Sequence, residues 1–356
     1  MNISIHNSLT APLKKEWMGL WEKSAYANIA NSPEWFEAAL QTYKYKSVRI
    51  ITAHNDSGEL AAVLPLVLEK KFGLGVFAPP AAEFADHCAL LGNRGDKSLA
   101  ESIVSGMLAL GTSYITGLGK NEAGIFTSSD NKSIIFPSDE EFFMDFTQGE
   151  LGKINRKKIK NSLNRINNSD KKANTIIESG ASKSALENCF EIDKASVKQR
   201  QGRGVFWRKD ARLFYSLLSE KLPENVLIQI FSFDNKPAAY WLYFKLKNNY
   251  IASQKAYLSG YEYYNLGFVT FVNFLEFLNG EGSDEISLGK GRDRFKTDFT
   301  DQSCQLYTAV LSKNVFSRNF LSALLRFREN AYRAAAKRPK FYRGFKELKK
   351  LLISHE

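Results

Sequence analysis

Residues 226–258 read VLIQIFSFDNKPAAYWLYFKLKNNYIASQKAYL and contain three apolar segments in succession. The segments VLIQIFSF, AAYWLYFKL and YIASQKAYL are rich in β-branched and aromatic residues, as strands are. Two short polar stretches, DNKP at 234–237 and KNN at 247–249, separate them and have the composition of turns. Short turns join neighbouring antiparallel strands, so the sequence predicts a three-stranded meander over 226–258.

A helix and a further strand follow the meander. Phe268, Phe271, Val272 and Leu275 recur at the +3, +4 and +7 spacing of a helix. The next segment, SLGKGRDRFKTDF at 287–299, overlaps a strand-like EIS and places a Gly-rich turn, an Asp and a Lys where that strand ends. Elements are also predicted on both sides of this core: helices over 183–196 and 209–219 with the polar loop VKQRQGRG after the first, and a strand QLYTAVL at 305–311.

The first half of the chain repeats this order faintly. Ser32 and Pro33 form a helix start, since Ser caps well and Pro is tolerated at the first helical position. Two strands around the turn NDSG at 55–58 predict a hairpin. The remaining predicted elements are a helix through 99–109 and a strand SYITGLG at 113–119.

The expected fold class is therefore mixed α/β with mostly antiparallel sheets flanked by helices. A chain of 356 residues exceeds one average domain. We expect an N-terminal domain over 1–150, a basic linking helix over 151–172, a second domain over 173–312 and a basic helical extension over 313–356.

The net charge of +11 is concentrated in two segments. Residues 153–172 carry +7 and residues 313–350 carry +10, so the rest of the chain is acidic. In the first segment Ile159, Leu163 and Ile166 mark one apolar helix side, which leaves the cations on the other. Basic segments of this kind favour contact with tRNA, an anionic bilayer surface or a nucleotide-linked sugar, but a solvated helix face gives the same pattern.

Several functional classes lack their signals. The four histidines form no metal-binding spacing, and the three cysteines are far apart and odd in number, so no metal is expected. The sequence also lacks the GxSxG, P-loop and GxGxxG motifs of serine hydrolases, nucleotide triphosphatases and dinucleotide-binding enzymes. No apolar run is long enough to cross a membrane, and no signal peptide is evident at the N-terminus. We expect a cytoplasmic protein, with a peripheral location at the inner face of the membrane as an alternative.

Six segments together resemble the double-GNAT acyltransferases related to the FemABX enzymes, specifically the CelD type. They are SPEWFEAAL, LPLVLEKK with EFADHCALL after it, NRKKIKNSLNRI, SVKQRQGRG, AYLSGYEYYNLG and LGKGRDRFKTDF. The resemblance covers residues 30–310 and implies two GNAT-like domains in tandem, with one site of acyl transfer at or near the second.

The resemblance also implies where the acyl donor lies. In a GNAT domain the pyrophosphate of acetyl-CoA or another acyl-CoA binds the backbone amides at the start of the central helix, where the helix dipole favours anions. The corresponding residues here are Tyr264, Asn265, Leu266, Gly267 and Phe268. This segment has fewer glycines than the usual GNAT loop, which leaves aminoacyl-tRNA or an acyl-carrier donor open.

Five residues are catalytic candidates. Lys296 matches a family lysine that supports transfer by stabilising negative charge, and Asp293 would orient it. Asp86 would act as a general base or hold an acceptor hydroxyl, and Tyr257 or Tyr261 would protonate the leaving group. Each has a plain structural alternative: a solvated Lys, an Asp that closes a turn or caps amides, and packed aromatic rings.

The loop at 197–204 offers the acceptor site. Lys198, Arg200 and Arg203 could bind an acceptor phosphate by charge-assisted hydrogen bonds, or simply belong to a surface loop. The predicted function is acyl transfer to the amine or hydroxyl of a sugar, sugar nucleotide or amino sugar in bacterial envelope or exopolysaccharide synthesis, in contact with the polysaccharide-synthesis machinery. Two alternatives remain, an aminoacyl-tRNA-dependent transferase and a non-catalytic GNAT scaffold that binds RNA, membrane or a synthase.

Overall fold

The computed structural model describes residues 1–93, 96–128, 132–147 and 156–336, with side chains described through residue 331. The chain folds into two compact units. Within the described residues, the first unit comprises Met1–Glu140 and 304–336, and the second comprises Glu141–Ser303.

The described residues include both strands and helices, numbered here in chain order. The strands are β1 (Asn2–His6), β2 (Val48–His54), β3 (Leu60–Lys71), β4 (Leu74–Ala78), β5 (Leu91–Gly92), β6 (Ser113–Leu118), β7 (Ser133–Asp145), β8 (Ala173–Ser179), β9 (Val226–Phe233), β10 (Lys236–Leu246), β11 (Asn249–Tyr257), β12 (Glu285–Lys290) and β13 (Ser303–Leu311). The α-helices are α1 (Ala11–Lys23), α2 (Pro33–Thr42), α3 (Lys97–Leu110), α4 (Lys120–Ile125), α5 (Arg156–Asn167), α6 (Lys183–Lys194), α7 (Val197–Arg200), α8 (Lys209–Lys221), α9 (Leu266–Glu281), α10 (Arg294–Phe299) and α11 (Val315–Ala336).

In the first unit the strands follow the order β1, β2, β3, β4, β6, β13, and β5 pairs with β3. The predicted hairpin is confirmed, because β2 and β3 pair antiparallel around the turn at 55–58. The pairing of β4 with β6 is parallel and limited to Phe77 opposite Ser113. The predicted start of α2 is also confirmed, since Ser32 Oγ accepts a hydrogen bond of 3.1 Å from the amide of Trp35.

In the second unit the order is β7, β12, β11, β10, β9, β8. The predicted meander is confirmed, because β9, β10 and β11 pair antiparallel in succession. The pairing of β11 with β12 is parallel and covers only Asn249–Ile251 opposite Glu285–Ser287. One face of this sheet packs on α9 through rings that include Trp241, Tyr243 and Phe271.

Some elements differ from the sequence expectations. The polar loop after α6 begins with a single helical turn, α7, because Ser196 Oγ caps it by accepting from the Gln199 amide at 2.9 Å. The strand QLYTAVL falls in β13, which pairs with β6 of the first unit, whereas the expected second domain extended to residue 312. The basic linking helix expected over 151–172 corresponds to α5, and its expected residues 151–155 lie outside the described part of the chain, as does the end of the basic extension after residue 336.

No helix within the described residues is both long and apolar enough to cross a bilayer.

Candidate functional site

The two parallel strands at the centre of the second unit separate after a short paired stretch. Ile251 of β11 and Ser287 of β12 form the last parallel pair, and both strands continue beyond it, to Tyr257 and Lys290. Backbone groups along the separated parts face each other across a gap instead of a ladder. We name this gap, between residues 252–257 of β11 and 288–290 of β12, the splay.

A β-bulge decides which side chains of β11 enter the face covered by α9. Tyr243 lies opposite Ala252 whereas Leu242 lies opposite Gln254, so Ser253 is the extra residue. A one-residue shift moves every later side chain to the other face of the sheet. Lys255 consequently lies opposite Trp241, on the α9 face, and not on the face that α6 and α8 cover.

Lys255 lies between two aromatic rings of that face. Its Nζ is 4.5 Å from the ring centre of Trp241 and 3.0 Å from that of Phe295, and the residue is half-buried. Burial lowers the pKa of Lys255 well below its ordinary value, and the charges of Lys198, Lys296 and Lys158 lower it further, against an opposing contribution from Asp293. No hydrogen bond or ion pair joins Lys255 Nζ to another residue in the described part of the chain.

Lys296 has the opposite environment. It is the third residue of α10 and only 8% exposed. Its Nζ donates hydrogen bonds to the carbonyls of Gly289 at 2.8 Å and Lys290 at 2.7 Å, at the end of β12. These two bonds hold the Lys296 side chain against the end of β12.

Asp293 begins the helix that carries Lys296. Its Oδ1 accepts from the Lys296 amide at 2.9 Å, which is an N-cap. The carboxylate therefore orients α10 through the backbone, and it acts on Lys255 through its charge. Two backbone carbonyls are contacts of Lys296 that its sequence alone did not predict.

Helix α5 adds a fourth lysine to this region. Lys158 forms an ion pair with Asp298 of α10, and its Nζ lies 4.4 Å from the ring centre of Phe268. The prediction that the cations of α5 point outward is thus correct for Arg156, Lys157 and Lys160, which are exposed, but not for Lys158. A carboxylate on the neighbouring helix gives Lys158 an inward partner that the α5 sequence alone could not show.

A buried hydrogen-bond network fixes α9 on the sheet. Thr270 is its centre: its Oγ1 accepts from Trp241 Nε1 at 3.0 Å, and its carbonyl accepts from Gln229 Nε2 at 2.7 Å. Tyr243 completes the network by donating to Gln229 Oε1 at 3.1 Å. A buried network whose polar groups all have hydrogen-bond partners favours one packing of the elements that it joins. The first turn of α9 therefore has a defined position beside the splay.

The start of α9 is the expected donor-binding segment, Tyr264 to Phe268. Asn265 has a left-handed backbone, with φ of 55°, and its Nδ2 donates to Ser162 Oγ of α5 at 3.1 Å. A Cβ at Gly267 would lie 3.8 Å from the Tyr257 ring, which is ordinary contact, so the space does not demand glycine there. Leu266 and Phe268 are buried in the core. Side chains of α5 thus occupy part of the surface where a phosphate would approach.

The three tyrosines of this region differ. Tyr261 and Tyr264 pack on Phe233, with ring centres 5.6 Å and 5.0 Å away, so their rings belong to an aromatic cluster. Tyr257 is half-buried at the end of β11. Its burial and the nearby Glu262 raise the pKa of its phenol, so Tyr257 keeps its proton at neutral pH and can donate it.

The loop after α6 is held by a buried carboxylate. Asp193 accepts from the amides of Val205 at 3.0 Å and Phe206 at 3.1 Å, and from Tyr240 Oη at 3.0 Å. A Cβ at Gly204 would lie 2.3 Å from Gln199 Oε1 and 2.7 Å from Asp193 Oδ1, so a larger residue there would have to displace one of these side chains.

The three basic residues of this loop have different partners. Lys198 reaches β11, where its Nζ lies 3.4 Å from Gln254 Oε1 and 3.5 Å from the carbonyl of Lys255. Arg200 pairs with Glu262 at 2.9 Å, and Arg203 donates to the neighbouring Gln201. Of the three expected acceptor-binding residues, Lys198 is therefore the one that reaches the splay, at Lys255.

Asp86 lies in the first unit, on the segment between β4 and β5. A Cβ at Gly117 of β6 would lie 2.7 Å from the Asp86 carbonyl oxygen and 3.0 Å from the Cys88 amide. The main chain at 86–88 therefore runs beside β6, just past the single parallel pair of β4 and β6.

Three predicted site residues, Lys296, Asp293 and Lys198, lie near one another around Lys255. The sequence did not indicate a site role for Lys255, Trp241, Phe295 or Lys158. A lysine in the middle of an apolar strand was the available signal for Lys255. No cluster of three or more His, Cys, Asp or Glu side chains suited to a metal occurs among the residues that the structure describes.

Residues 155–297 match the family model of the acetyltransferase (GNAT) domain. The match spans α5 to α10 and includes both strands of the splay. No curated protein sequence matches the chain.

Solved structures share the fold over most of the chain. One is FemX, with 11% identity, 86% of this chain and 97% of that chain covered, and a TM-score of 0.59. Another is the C-terminal domain of a putative lysylphosphatidylglycerol synthetase from Agrobacterium fabrum, with 13% identity, 87% and 94% covered, and a TM-score of 0.56. A third is L-PGS from Bacillus licheniformis, with 11% identity, 84% and 97% covered, and a TM-score of 0.53.

These likenesses extend over both units and define a double GNAT fold. The chain contains a GNAT acetyltransferase domain, and the protein is an acyltransferase.

Proposed function

We propose that the second unit transfers an acyl group from an acyl-CoA, such as acetyl-CoA, to the amine or hydroxyl of a sugar-containing small molecule. The observation that carries this proposal is the position of Lys296 Nζ at the open end of β12, with two backbone carbonyls as partners. Its positive charge can stabilise the oxyanion that forms when a carbonyl carbon is attacked. A fixed charge of this kind lowers the barrier of acyl transfer because it is in place before the negative charge develops.

The acceptor is proposed as a sugar, sugar nucleotide or amino sugar of bacterial envelope or exopolysaccharide synthesis. The sequence resemblance to CelD-type enzymes supports this class. Lys198 and Arg200 beside the splay support an acceptor that carries phosphate, because both cations can donate charge-assisted hydrogen bonds. Tyr257 is proposed to protonate the leaving group.

Binding and turnover can be tested separately. Calorimetry with acetyl-CoA and longer acyl-CoAs, at low and moderate salt, measures donor binding. Mass spectrometry of glucosamine and UDP-glucosamine after incubation with acetyl-CoA measures transfer. Saturable binding with an N-acetylated product supports the proposal, whereas no binding of any acyl-CoA contradicts the donor that it names.

A second candidate is transfer from an aminoacyl-tRNA. The packing of α5 on the start of α9 favours it, because Ser162 contacts Asn265 and Arg165 donates to the Tyr263 carbonyl at 2.7 Å, where a CoA pyrophosphate would approach. The exposed Arg156, Lys157 and Lys160 provide cations for an RNA backbone.

Filter binding of aminoacyl-tRNA at several salt concentrations tests this candidate. The variant Lys157→Glu/Lys160→Glu should weaken binding and reduce the slope of log K against log salt by about 1 to 2, roughly one unit per lost phosphate contact. Lys158 is unsuitable for this test because of its ion pair with Asp298. A slope equal to that of the wild type would contradict an RNA surface on α5.

We also propose that α11 contacts an anionic bilayer surface. Phe316 and Phe327 are 73% and 68% exposed, and Phe320 lies one turn after Phe316 with the two rings stacked. A helix with exposed apolar rings next to Lys and Arg is typical of interfacial helices. Such a contact would place the protein at the inner face of the membrane, near the polysaccharide-synthesis machinery.

A further inference from the structure

The splay contains two amines whose surroundings have opposite effects on their charge. Lys296 Nζ donates to the carbonyls of Gly289 and Lys290, and bonds of this kind favour the ammonium form. Lys255 Nζ lies close to the rings of Trp241 and Phe295 and has no hydrogen-bonding partner in the described chain. Two titratable groups in such different surroundings can take different roles in acid–base chemistry.

The position of Lys255 depends on the bulge at Ser253. Without the extra residue, the alternation of β11 would place Lys255 on the α6 and α8 face, away from Trp241 and α10. With it, Lys255 lies four residues beyond the last parallel pair, on a stretch of β11 that has no partner in β12. Bulges are frequent next to active sites because they redirect a side chain.

The charged groups that act on Lys255 lie on three helices or at their starts. They are Lys158 of α5, Lys198 of α7, and Lys296 of α10 with its capping Asp293. Three of these four carry the charge that Lys255 would carry. The ring faces of Trp241 and Phe295 attract a cation, by about 2 kcal/mol at most for a desolvated pair. Burial together with three like charges outweighs this attraction, so the net effect favours the neutral amine.

We propose that Lys255 is the general base of acyl transfer in the second unit, taking the proton of the acceptor while Lys296 stabilises the oxyanion. This inference rests on the proposed acyl transfer, and it assigns a catalytic role to a residue that the sequence motifs did not indicate.

Atoms and charge are conserved in this step. The acceptor nitrogen or oxygen forms a bond to the carbonyl carbon of the donor, and its proton moves to Lys255 Nζ. The carbonyl π electrons move to the oxygen, and the positive charge of Lys296 stabilises the resulting oxyanion. The tetrahedral intermediate collapses, the bond to the donor's leaving sulfur or oxygen breaks, and the leaving atom takes the phenol proton of Tyr257. The Lys255 ammonium then returns its proton to the Tyr257 phenolate. Lys255 is neutral again at the end.

Competitive labelling with acetic anhydride tests the state of Lys255 without any substrate. The wild-type protein is labelled at a series of pH values, and mass spectrometry compares Lys255 with Lys183, an exposed lysine at the start of α6. Only a neutral amine reacts, so Lys255 should reach half-maximal labelling at clearly lower pH than Lys183. Equal pH dependence of the two lysines would overturn the proposal.

The variant Lys296→Met sharpens the same measurement. Removal of one like charge should move the labelling curve of Lys255 to higher pH, while that of Lys183 stays in place. An unmoved Lys255 curve would contradict the electrostatic coupling on which the two roles depend.

Turnover of acetyl-CoA with glucosamine then tests the base itself. Lys255→Gln and Lys255→Arg should each reduce the rate of transfer about 10² to 10⁴-fold, because Arg keeps its proton at all accessible pH values. Both should retain acetyl-CoA binding by calorimetry. A rate within about threefold of the wild type for Lys255→Gln would refute the base role.

The two failures can be told apart. If the wild type neither binds nor consumes acetyl-CoA, the proposed donor is wrong, and the labelling curves still decide whether Lys255 is a neutral amine. If the wild type is active and the labelling curve of Lys255 equals that of Lys183, the base is wrong while the proposed function stands.

Discussion

Lys296 Nζ lies 2.8 Å from the carbonyl oxygen of Gly289, so the ammonium is fixed at the end of β12, beyond the residues that pair with β11. In the proposed acyl transfer this fixed charge, unlike one on a flexible surface side chain, would stabilise the oxyanion. Preorganised charge of this kind contributes more to catalysis than a mobile charge does.

The first prediction concerns that charge. Lys296→Met keeps most of the buried stem and removes the ammonium, so acetyl transfer should fall about 100-fold or more. The two carbonyls lose a partner, and we expect about 1 to 3 kcal/mol of lost stability with the fold retained. Lys183→Met is the matched control and should change neither quantity. Wild-type turnover by a folded Lys296→Met protein would rule out its role.

The second prediction concerns Asp193. Its carboxylate holds the amides of Val205 and Phe206 and the hydroxyl of Tyr240 in a fully buried site. Asp193→Ala should cost about 3 kcal/mol or more, because three buried donors lose their acceptor. Tyr240→Phe removes one donor and should cost about 1 kcal/mol. Urea unfolding of both variants checks the ranking, and equal costs would show that the loop amides do not depend on Asp193.

Much of the second unit could be predicted from its sequence because local patterns and tertiary packing agree. Strands β9, β10 and β11 are apolar segments bounded by short turns, and α9 shows the helical period at Phe268, Phe271 and Val272. Strand β7 was missed, since its sequence SIIFPSDEEFFMD contains a proline and four carboxylates that normally indicate a loop.

The candidate site was predicted only in part, and the reason is geometric. The alternation of side chains along β11 predicts that Lys255 lies on the same face as Trp241 only when the bulge at Ser253 is known. Nothing in the sequence ASQK indicates an extra residue there. The inward partner of Lys158 is Asp298, 140 positions away in the chain. Pairings of that kind depend on the fold and not on local sequence.

The third prediction tests the main chain beside β6 in the first unit. Gly117 has φ of 72°, and a Cβ there would lie 2.7 Å from a backbone oxygen. Gly117→Ala should therefore cost about 3 kcal/mol or more, from left-handed strain plus displacement of the 86–88 segment. Gly58→Ala is the control, because Gly58 has φ of 83° but no atom within 4 Å of the added Cβ. Equal losses in the melting temperature would show that strain alone acts and that the segment yields freely.

The fourth prediction is a pH dependence in the first unit. Burial raises the pKa of Glu34, and Lys14, whose Nζ lies 3.4 Å from Glu34 Oε1, offsets this only in part. Glu34 Oε2 is buried without a hydrogen-bond partner in the described chain. A carboxyl with a raised folded-state pKa binds its proton more tightly in the folded state, so its contribution to stability is lost as pH rises through that pKa.

Glu34→Gln imitates the protonated form at every pH. It should melt at a higher temperature than the wild type at pH 7, and the difference should disappear below about pH 4, near the pKa of an unfolded Glu. Lys14 keeps Glu37 as a partner at 2.8 Å in this variant. Glu37→Gln is the control and should lower the melting temperature at pH 7. A Glu34→Gln protein that is less stable than the wild type at pH 7 would mean that the Lys14 pair outweighs the burial of the carboxylate.

The fifth prediction concerns the exposed rings of α11. Phe316 and Phe327 should insert into a bilayer surface while neighbouring cations attract its anionic headgroups. Phe316→Ser/Phe327→Ser should reduce co-sedimentation with vesicles of phosphatidylglycerol and phosphatidylcholine about 10-fold or more, since each buried phenyl contributes about 1.5 to 3 kcal/mol. The control Leu213→Ser changes an exposed apolar residue of α8 and should leave binding unchanged. Binding that is insensitive to both variants but abolished by salt would assign the contact to charge alone, and no binding to anionic vesicles by the wild type would exclude the bilayer as the partner of α11.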